Sequence, residues 1–173
     1  MKKTILIFSF AALLSLGATA QKYAIIDTKY ILEKLKDYKE ADKAIQKTAE
    51  LWQKELDSSQ ADLDKMYKNY DAEQYMLTDE LKKKREAELF NKEKEVRELQ
   101  RKRFGYEGDL FKERQRLVKP IQDKVFNAIQ KLAVARGWDF VLDKSEGITV
   151  IFADPKLDQS DEILRELRVN SGN

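Results

Sequence analysis

Between Thr28 and residue 136 the chain carries a single proline, Pro120, and a very high density of charged side chains. A stretch of that length with so few breakers has one common solution, long helix or coiled coil. The apolar residues agree. Ile45, Ala49, Trp52, Leu56, Leu63, Met66 and Tyr70 step by four and three, with Ser59 in the one polar slot. A second series runs Leu89, Val96, Leu99, Tyr106, Leu110, Leu117 and Ile121, interrupted by Lys92 and Arg103. Alternating steps of three and four place each series on one narrow helical face, a coiled-coil seam. The polar interruptions make that seam leaky, which suits a bendable hairpin better than a rigid rod.

A turn must separate the two series. Thr78-Asp79-Glu80 reads as a helix N-cap followed by two acids that favour the positive end of the helix dipole. If the arms leave and re-enter a base near residues 45 and 111, their midpoint is residue 78, and each arm is about 50 Å long at the usual rise per residue. Charge sorts with the arms. Residues 46–80 carry four basic and nine acidic side chains, whereas 81–118 carry thirteen basic and eight acidic. Laid antiparallel, the two attract. Exposed pairs contribute only tenths of a kcal/mol each, so this orients the pairing more than it stabilises it.

Both ends of the chain read differently. Tyr23 to Asp27 is a short apolar strand candidate, with Asp27 or Thr28 placed to cap the helix that follows. Beyond Pro120 the residues Ile121, Val125, Ala128, Ile129 and Leu132 keep the helical period, so the helix continues with a kink until Gly137 ends it. Trp138–Asp143 and Gly147–Ala153 are expected as two strands of a hairpin joined through Lys144-Ser145-Glu146. Asp154-Pro155 marks a turn, and Ser160-Asp161-Glu162 caps a last helix carrying Ile163, Leu164 and Leu167. The strand candidates are nearly continuous apolar runs, as in strands buried on both faces. One chain offers too little structure to cover them. With no cysteine for disulfides and no histidine for metal, oligomerisation is the remaining route to a stable base.

Composition narrows function. Residues 1–20 read as a secretory leader: Lys2 and Lys3, an apolar core from Ile5 to Leu16, and the small-residue site Ala18-Thr19-Ala20. Cleavage after Ala20 leaves Gln21 first, and the lack of cysteine there argues against a lipid anchor. Without the leader the 33 basic residues fall to 31, against 31 acidic ones. A globally basic surface for nucleic acid is therefore not expected. The missing histidine and cysteine exclude the usual triads, and no G-x-x-x-x-G-K phosphate loop occurs. No catalytic residue, cofactor or metal is expected, and the chain is not read as an enzyme. The expected organisation is a leader (1–20), an N-terminal part of the base (21–44), a helical hairpin arm (45–111) and a C-terminal part of the base (112–173).

In this order the pieces resemble the Skp (OmpH-like) family of periplasmic chaperones. The opening Lys22-Tyr23-Ala24-Ile25-Ile26-Asp27 strand, followed at once by a helix, is similar to that family's start. More specific are Pro120 to Val125, Ala133 to Gly137, Trp138 to Lys144, Ala153-Asp154-Pro155 and Leu157 to Leu164, so the resemblance covers the whole processed chain. It implies a mainly α fold with a small β base, in which long antiparallel helical arms project from a β-barrel base shared by a homotrimer. It further implies an ATP-independent holdase for unfolded outer-membrane proteins in the periplasm. The family is often strongly basic and this processed chain is neutral, so capture by charge alone does not follow, and no lipopolysaccharide site is carried over. Peripheral contact with the membrane stays open. The alternative function is a structural or adaptor hairpin of the cell envelope.

If charge does not dominate, apolar surface must contribute. Phe90, Phe104 and Phe111 lie on one heptad stripe, each one residue beyond a seam position. Phe90 and Phe104 are candidates for client contact, together with Tyr67, Tyr70, Tyr75 and Met76. The competing reading is that the seam drifts with the 3.6-residue period and the rings pack inside; for Phe111, near the base, this inward packing is the expectation. Lys82, Lys83, Lys84 and Arg85 form a basic patch, which as a charge run most simply reads as solvated helix surface. Gly105 and Gly108, read as interrupting a helix of good helix formers, mark a candidate hinge, since each costs about 1 kcal/mol relative to alanine there.

Overall fold

The computed structural model describes residues 21–145, 147 and 150–170. In chain order the elements are strand β1 (Tyr23–Ile26), helices α1 (Thr28–Lys34), α2 (Lys36–Glu73), α3 (Asp79–Phe104) and α4 (Asp109–Arg136), strand β2 (Phe140–Asp143), a 3-10 turn (Pro155–Leu157) and helix α5 (Ser160–Asn170). The fold is mainly helical with a small two-stranded sheet. Among the described residues no helix is long and apolar enough to cross a membrane. The chain divides into two compact units: the residues up to Ile31 with those from Val125 onward, and Leu32–Lys124.

The second unit is a helical hairpin. Helix α2 has 38 residues, about 57 Å at 1.5 Å per residue. It pairs with α3 through the expected seam: Leu63, Leu89 and Val96 are buried together, with Leu56, Met66 and Tyr70 packed against them. Thr78 caps α3 as its sequence signal implies, its side chain accepting a hydrogen bond from the Leu81 N–H. The charge complementarity of the two arms also takes physical form. Arg103 of α3 pairs with Glu55 of α2 at 3.0 Å; in pairs that reach beyond the two stretches counted above, Arg114 and Lys124 of α4 also meet Asp42 and Asp37 of α2 at 3.9 and 3.3 Å.

Two expectations on the returning arm are corrected. Gly105 and Gly108 do not lie inside a helix, because α3 ends at Phe104 and α4 begins at Asp109. Gly105 leaves the helix in an extended conformation (φ −69°, ψ 174°), and Glu107 takes a left-handed one at φ 52°. Tyr106, assigned to the seam, falls in this break and is 97 % exposed. A period counted through residue 106 assumes a continuous helix, and the break cancels that assumption. Phe111 is the second correction: it was expected inside and is exposed.

In the first unit β1 and β2 run parallel, with Tyr23 opposite Phe140 and Ile26 opposite Asp143. Ala24, Ile25, Ile26, Ile31, Val125, Ala128, Leu132, Ile163, Leu164 and Leu167 are buried. Helix α4 passes through Pro120 and stops at Gly137, whose φ is 65°. The Trp138 N–H reaches the Ala133 carbonyl at 2.9 Å, and the Gly137 N–H reaches that of Val134 at 3.3 Å. This is a Schellman end, and its left-handed position explains the glycine. At the other terminus Asp27 caps α1 by accepting from the Tyr30 N–H at 2.8 Å.

The expected hairpin after Trp138 is not formed among the described residues. Residues 150–154 are not in a strand, and Glu146, Ile148 and Thr149 lie outside the described residues. The Lys144 N–H donates to the Ile26 carbonyl at 2.8 Å, extending the parallel ladder by one residue, and Lys144 and Ser145 then enter a turn as the sequence implies. Asp143 holds that path by accepting hydrogen bonds from the Thr28 and Ser145 N–H groups at 3.2 and 2.9 Å. Ser160 also departs from expectation. Its hydroxyl accepts from the Asp27 N–H at 2.9 Å, and so ties α5 to the end of β1 instead of capping its own helix.

Candidate client-contact surface

The hairpin seam sorts the candidate residues into those consumed by the fold and those left outside it. Tyr70 is consumed. It is half-buried against the Leu63–Leu89–Val96 cluster, and its hydroxyl donates to Glu86 at 2.7 Å. Tyr67 spans the same two helices by donating to Glu93, and it keeps a partly exposed ring. Both phenols are held above their ordinary pKa, chiefly because each donates to a carboxylate. The same bond from Tyr67, with one from Arg97, holds Glu93 below the ordinary carboxylate value. These pairs fasten α2 to α3.

Three candidates stay outside. Phe90 follows the buried Leu89 by one position and is 61 % exposed; Tyr75 and Met76, in the loop between α2 and α3, are 89 and 80 % exposed. Phe104, the last residue of α3, is half-buried. Sequence reasoning missed Leu51 and Leu81, which are also exposed on this unit. Leu51 precedes the seam residue Trp52 and was legible as an off-seam position; Leu81 lies in the first turn of α3, where seam positions had not yet been assigned.

The basic patch begins at the first turns of α3. Lys83, Lys84 and Arg85 are exposed and Lys82 is half-buried. Arg85 pairs with Glu88 at 3.0 Å, so part of the patch is neutralised within its own helix. A more enclosed cation is Arg103. It contacts Glu55 at 3.0 Å and Asp109 at 2.7 Å, and its guanidinium sits 4.8 Å from the centre of the Trp52 ring. This arrangement explains how a seam position can hold an arginine, and Asp109 joins it across the Gly105–Gly108 break. Arg103 is thus a brace for the arm.

The first unit holds a cavity of about 530 Å³, lined in part by Ile25, Tyr30, Lys144, Asp158 and Asp161. Its polar groups are engaged: Lys144 pairs with Asp158 at 2.6 Å, and Tyr30 donates to Asp161 at 3.0 Å. Among the described residues no group of carboxylates is arranged to hold a metal ion. The unit also exposes Phe126, Val134, Phe140, Ile151 and Phe152.

A family model, outer membrane protein (OmpH-like), matches residues 22–167. The chain belongs to the OmpH-like family. Among solved structures, the OmpH-like fold is shared with a protein from Caulobacter crescentus CB15 that carries an outer membrane chaperone assignment. The two are 18 % identical, with a TM-score of 0.69 over 89 % of this chain and 88 % of that one. At that identity the likeness speaks to fold alone. No curated protein matches the chain.

Proposed function

We propose that this OmpH-like protein is an ATP-independent holdase of the periplasm. In this reading it encloses unfolded outer-membrane proteins between helical arms and keeps them from aggregating. The observation that carries it is the apolar surplus of the arm unit. Leu51, Tyr75, Met76, Leu81, Phe90 and Phe111 all remain exposed, around a tip-half seam whose buried residues are only Leu63, Leu89 and Val96. Apolar side chains spread singly along an arm offer many small contacts rather than one contiguous patch, and an unfolded chain is a partner that can use such contacts without shape complementarity. Family membership supports the same chaperone role.

The holdase reading includes export, with cleavage after Ala20, and assembly as a homotrimer on a shared β-barrel base. The exposed Phe140, Ile151 and Phe152 support a base completed by other copies, because a lone chain leaves these rings and side chains in water. It also includes a hinge at Gly105 and Gly108, supported by the interruption between α3 and α4. Capture then rests on apolar contact more than on charge, in keeping with the neutral processed chain.

The deciding experiment dilutes a urea-unfolded outer-membrane β-barrel protein into buffer with and without the purified protein, and without nucleotide. Suppressed light scattering is expected, at most moderately weakened at physiological salt. Unchanged aggregation would remove the holdase reading. A double change Phe90→Ser with Met76→Ser should weaken suppression while leaving the helical circular dichroism intact.

A further inference from the structure

We propose that Gln21 is a modification site: once it becomes the first residue, it closes on itself to pyroglutamate. The proposal rests on the export reading, specifically on cleavage after Ala20, and its test separates the two. In the reaction the freed α-amino nitrogen of Gln21 attacks Cδ of its own side-chain amide. The Cδ–Nε2 bond breaks, Nε2 leaves as ammonia with the protons the amine gives up, and a five-membered lactam remains that keeps Oε1. No oxidant, reductant or second substrate is consumed. Nucleophile and electrophile belong to one residue, so the step has the advantage of intramolecular reactions.

The structure places Gln21 well for this. Residue 22 is where the fold takes hold. The Lys22 N–H donates to the Asp139 carboxylate at 2.8 Å, and the Lys22 carbonyl accepts from the Asp139 N–H at 2.8 Å. Gln21 lies just outside that clamp and is exposed, so its side chain is open to water and to a glutaminyl cyclase. Its carboxamide oxygen is also engaged already: the Tyr23 hydroxyl donates to Gln21 Oε1. A donor on that oxygen polarises the carbonyl under attack. Tyr23 is itself fixed by stacking on Phe140, with ring centres 5.6 Å apart and planes within 12°.

The consequence is a blocked, uncharged terminus at the start of β1. Removal of the terminal charge is one of the modifications that alters local electrostatics outright. It also leaves aminopeptidases no free amine to grip, which protects a strand that begins two residues later.

The test is peptide mass mapping and stepwise N-terminal degradation of the protein isolated from the envelope of the cells that make it. The expected N-terminal peptide starts at Gln21, is lighter by the mass of one ammonia and resists degradation. Treatment with pyroglutamyl aminopeptidase should then expose Lys22-Tyr23-Ala24. A peptide that starts at Gln21 at full mass would overturn cyclisation and leave the cleavage reading standing. A peptide that starts elsewhere would overturn both. The variant Gln21→Asn, which has no five-membered lactam to form, should start with a free residue 21 at full mass; if it is blocked in the same way, the modification is not at this side chain and the proposal fails.

Discussion

Single residues carry two sharp consequences. At Gly105 a Cβ would lie 2.3 Å from the Arg101 carbonyl oxygen, and at Gly108 it would lie 2.9 Å from the carbonyl oxygens of Gly105 and Lys102. In a helix interior alanine would be the better residue at both positions, but the break reverses the sign. Gly105→Ala should therefore destabilise the arm by about 1–3 kcal/mol, the usual range for forced overpacking, seen as a lower urea midpoint. An unchanged or raised midpoint would mean that the helix runs through. Asp143 gives a pH signature. Burial pushes its pKa up, but hydrogen bonds from Thr28 and Ser145 outweigh this and hold it below the ordinary 3.8. A carboxyl depressed on folding contributes stability that is complete above its unfolded value and is lost as pH falls through the folded one. Asp143→Asn should be less stable than the parent at neutral pH, with the difference shrinking below pH 3.8. Urea titrations across that range would check it.

The helical elements were the most readable part of the chain, because their signals are local. A seam at three- and four-residue steps, a threonine before two acids and a glycine after the last periodic residue each act within a turn or two of helix. Leu89 is where that legibility meets energetics. It is buried in a cluster with two other buried members, Leu63 and Val96. Leu89→Ala should cost about 2–3 kcal/mol, toward the low end for core truncations because a thin seam can partly collapse. Thermal unfolding followed by helical circular dichroism would measure it. A loss below roughly 1 kcal/mol would mean that the cross-arm pairs, not the seam, hold the hairpin. The strand elements were less readable. Tyr23–Ile26 and Phe140–Asp143 were found as strands, but their parallel pairing was not, since nothing within either segment specifies a partner 117 positions away. The candidate contact residues divided for a related reason. Heptad position placed Phe90 outside the seam and Tyr70 on it, whereas the bond from the Tyr70 hydroxyl to Glu86 across the hairpin was visible only in the structure.

For the whole molecule, the exposed apolar groups of the first unit bear on assembly. Sedimentation equilibrium at low micromolar concentration and neutral pH should return the mass of a trimer. A monomer mass would remove both the shared base and the enclosed cavity from the proposed function. Ile151→Asp with Phe152→Ser should shift the equilibrium toward smaller species, because those side chains are 95 and 85 % exposed in the single chain.

What the sequence determined by itself was the long helical hairpin, its turn near residue 78, the opposite charge of its arms and the caps at Thr78 and Gly137. Each rests on interactions between residues close in the chain or on a period that repeats. Only the tertiary structure decided that β1 and β2 are parallel, that Ser160 serves the end of β1, that Arg103 braces Trp52, Glu55 and Asp109, and that the returning arm breaks at Gly105. Those outcomes depend on groups far apart in sequence meeting in one place, or on a backbone conformation that leaves the apolar pattern almost unchanged. A periodic pattern records which face of a helix is apolar. It does not record where the helix stops being a helix, nor which distant carbonyl will accept the next N–H.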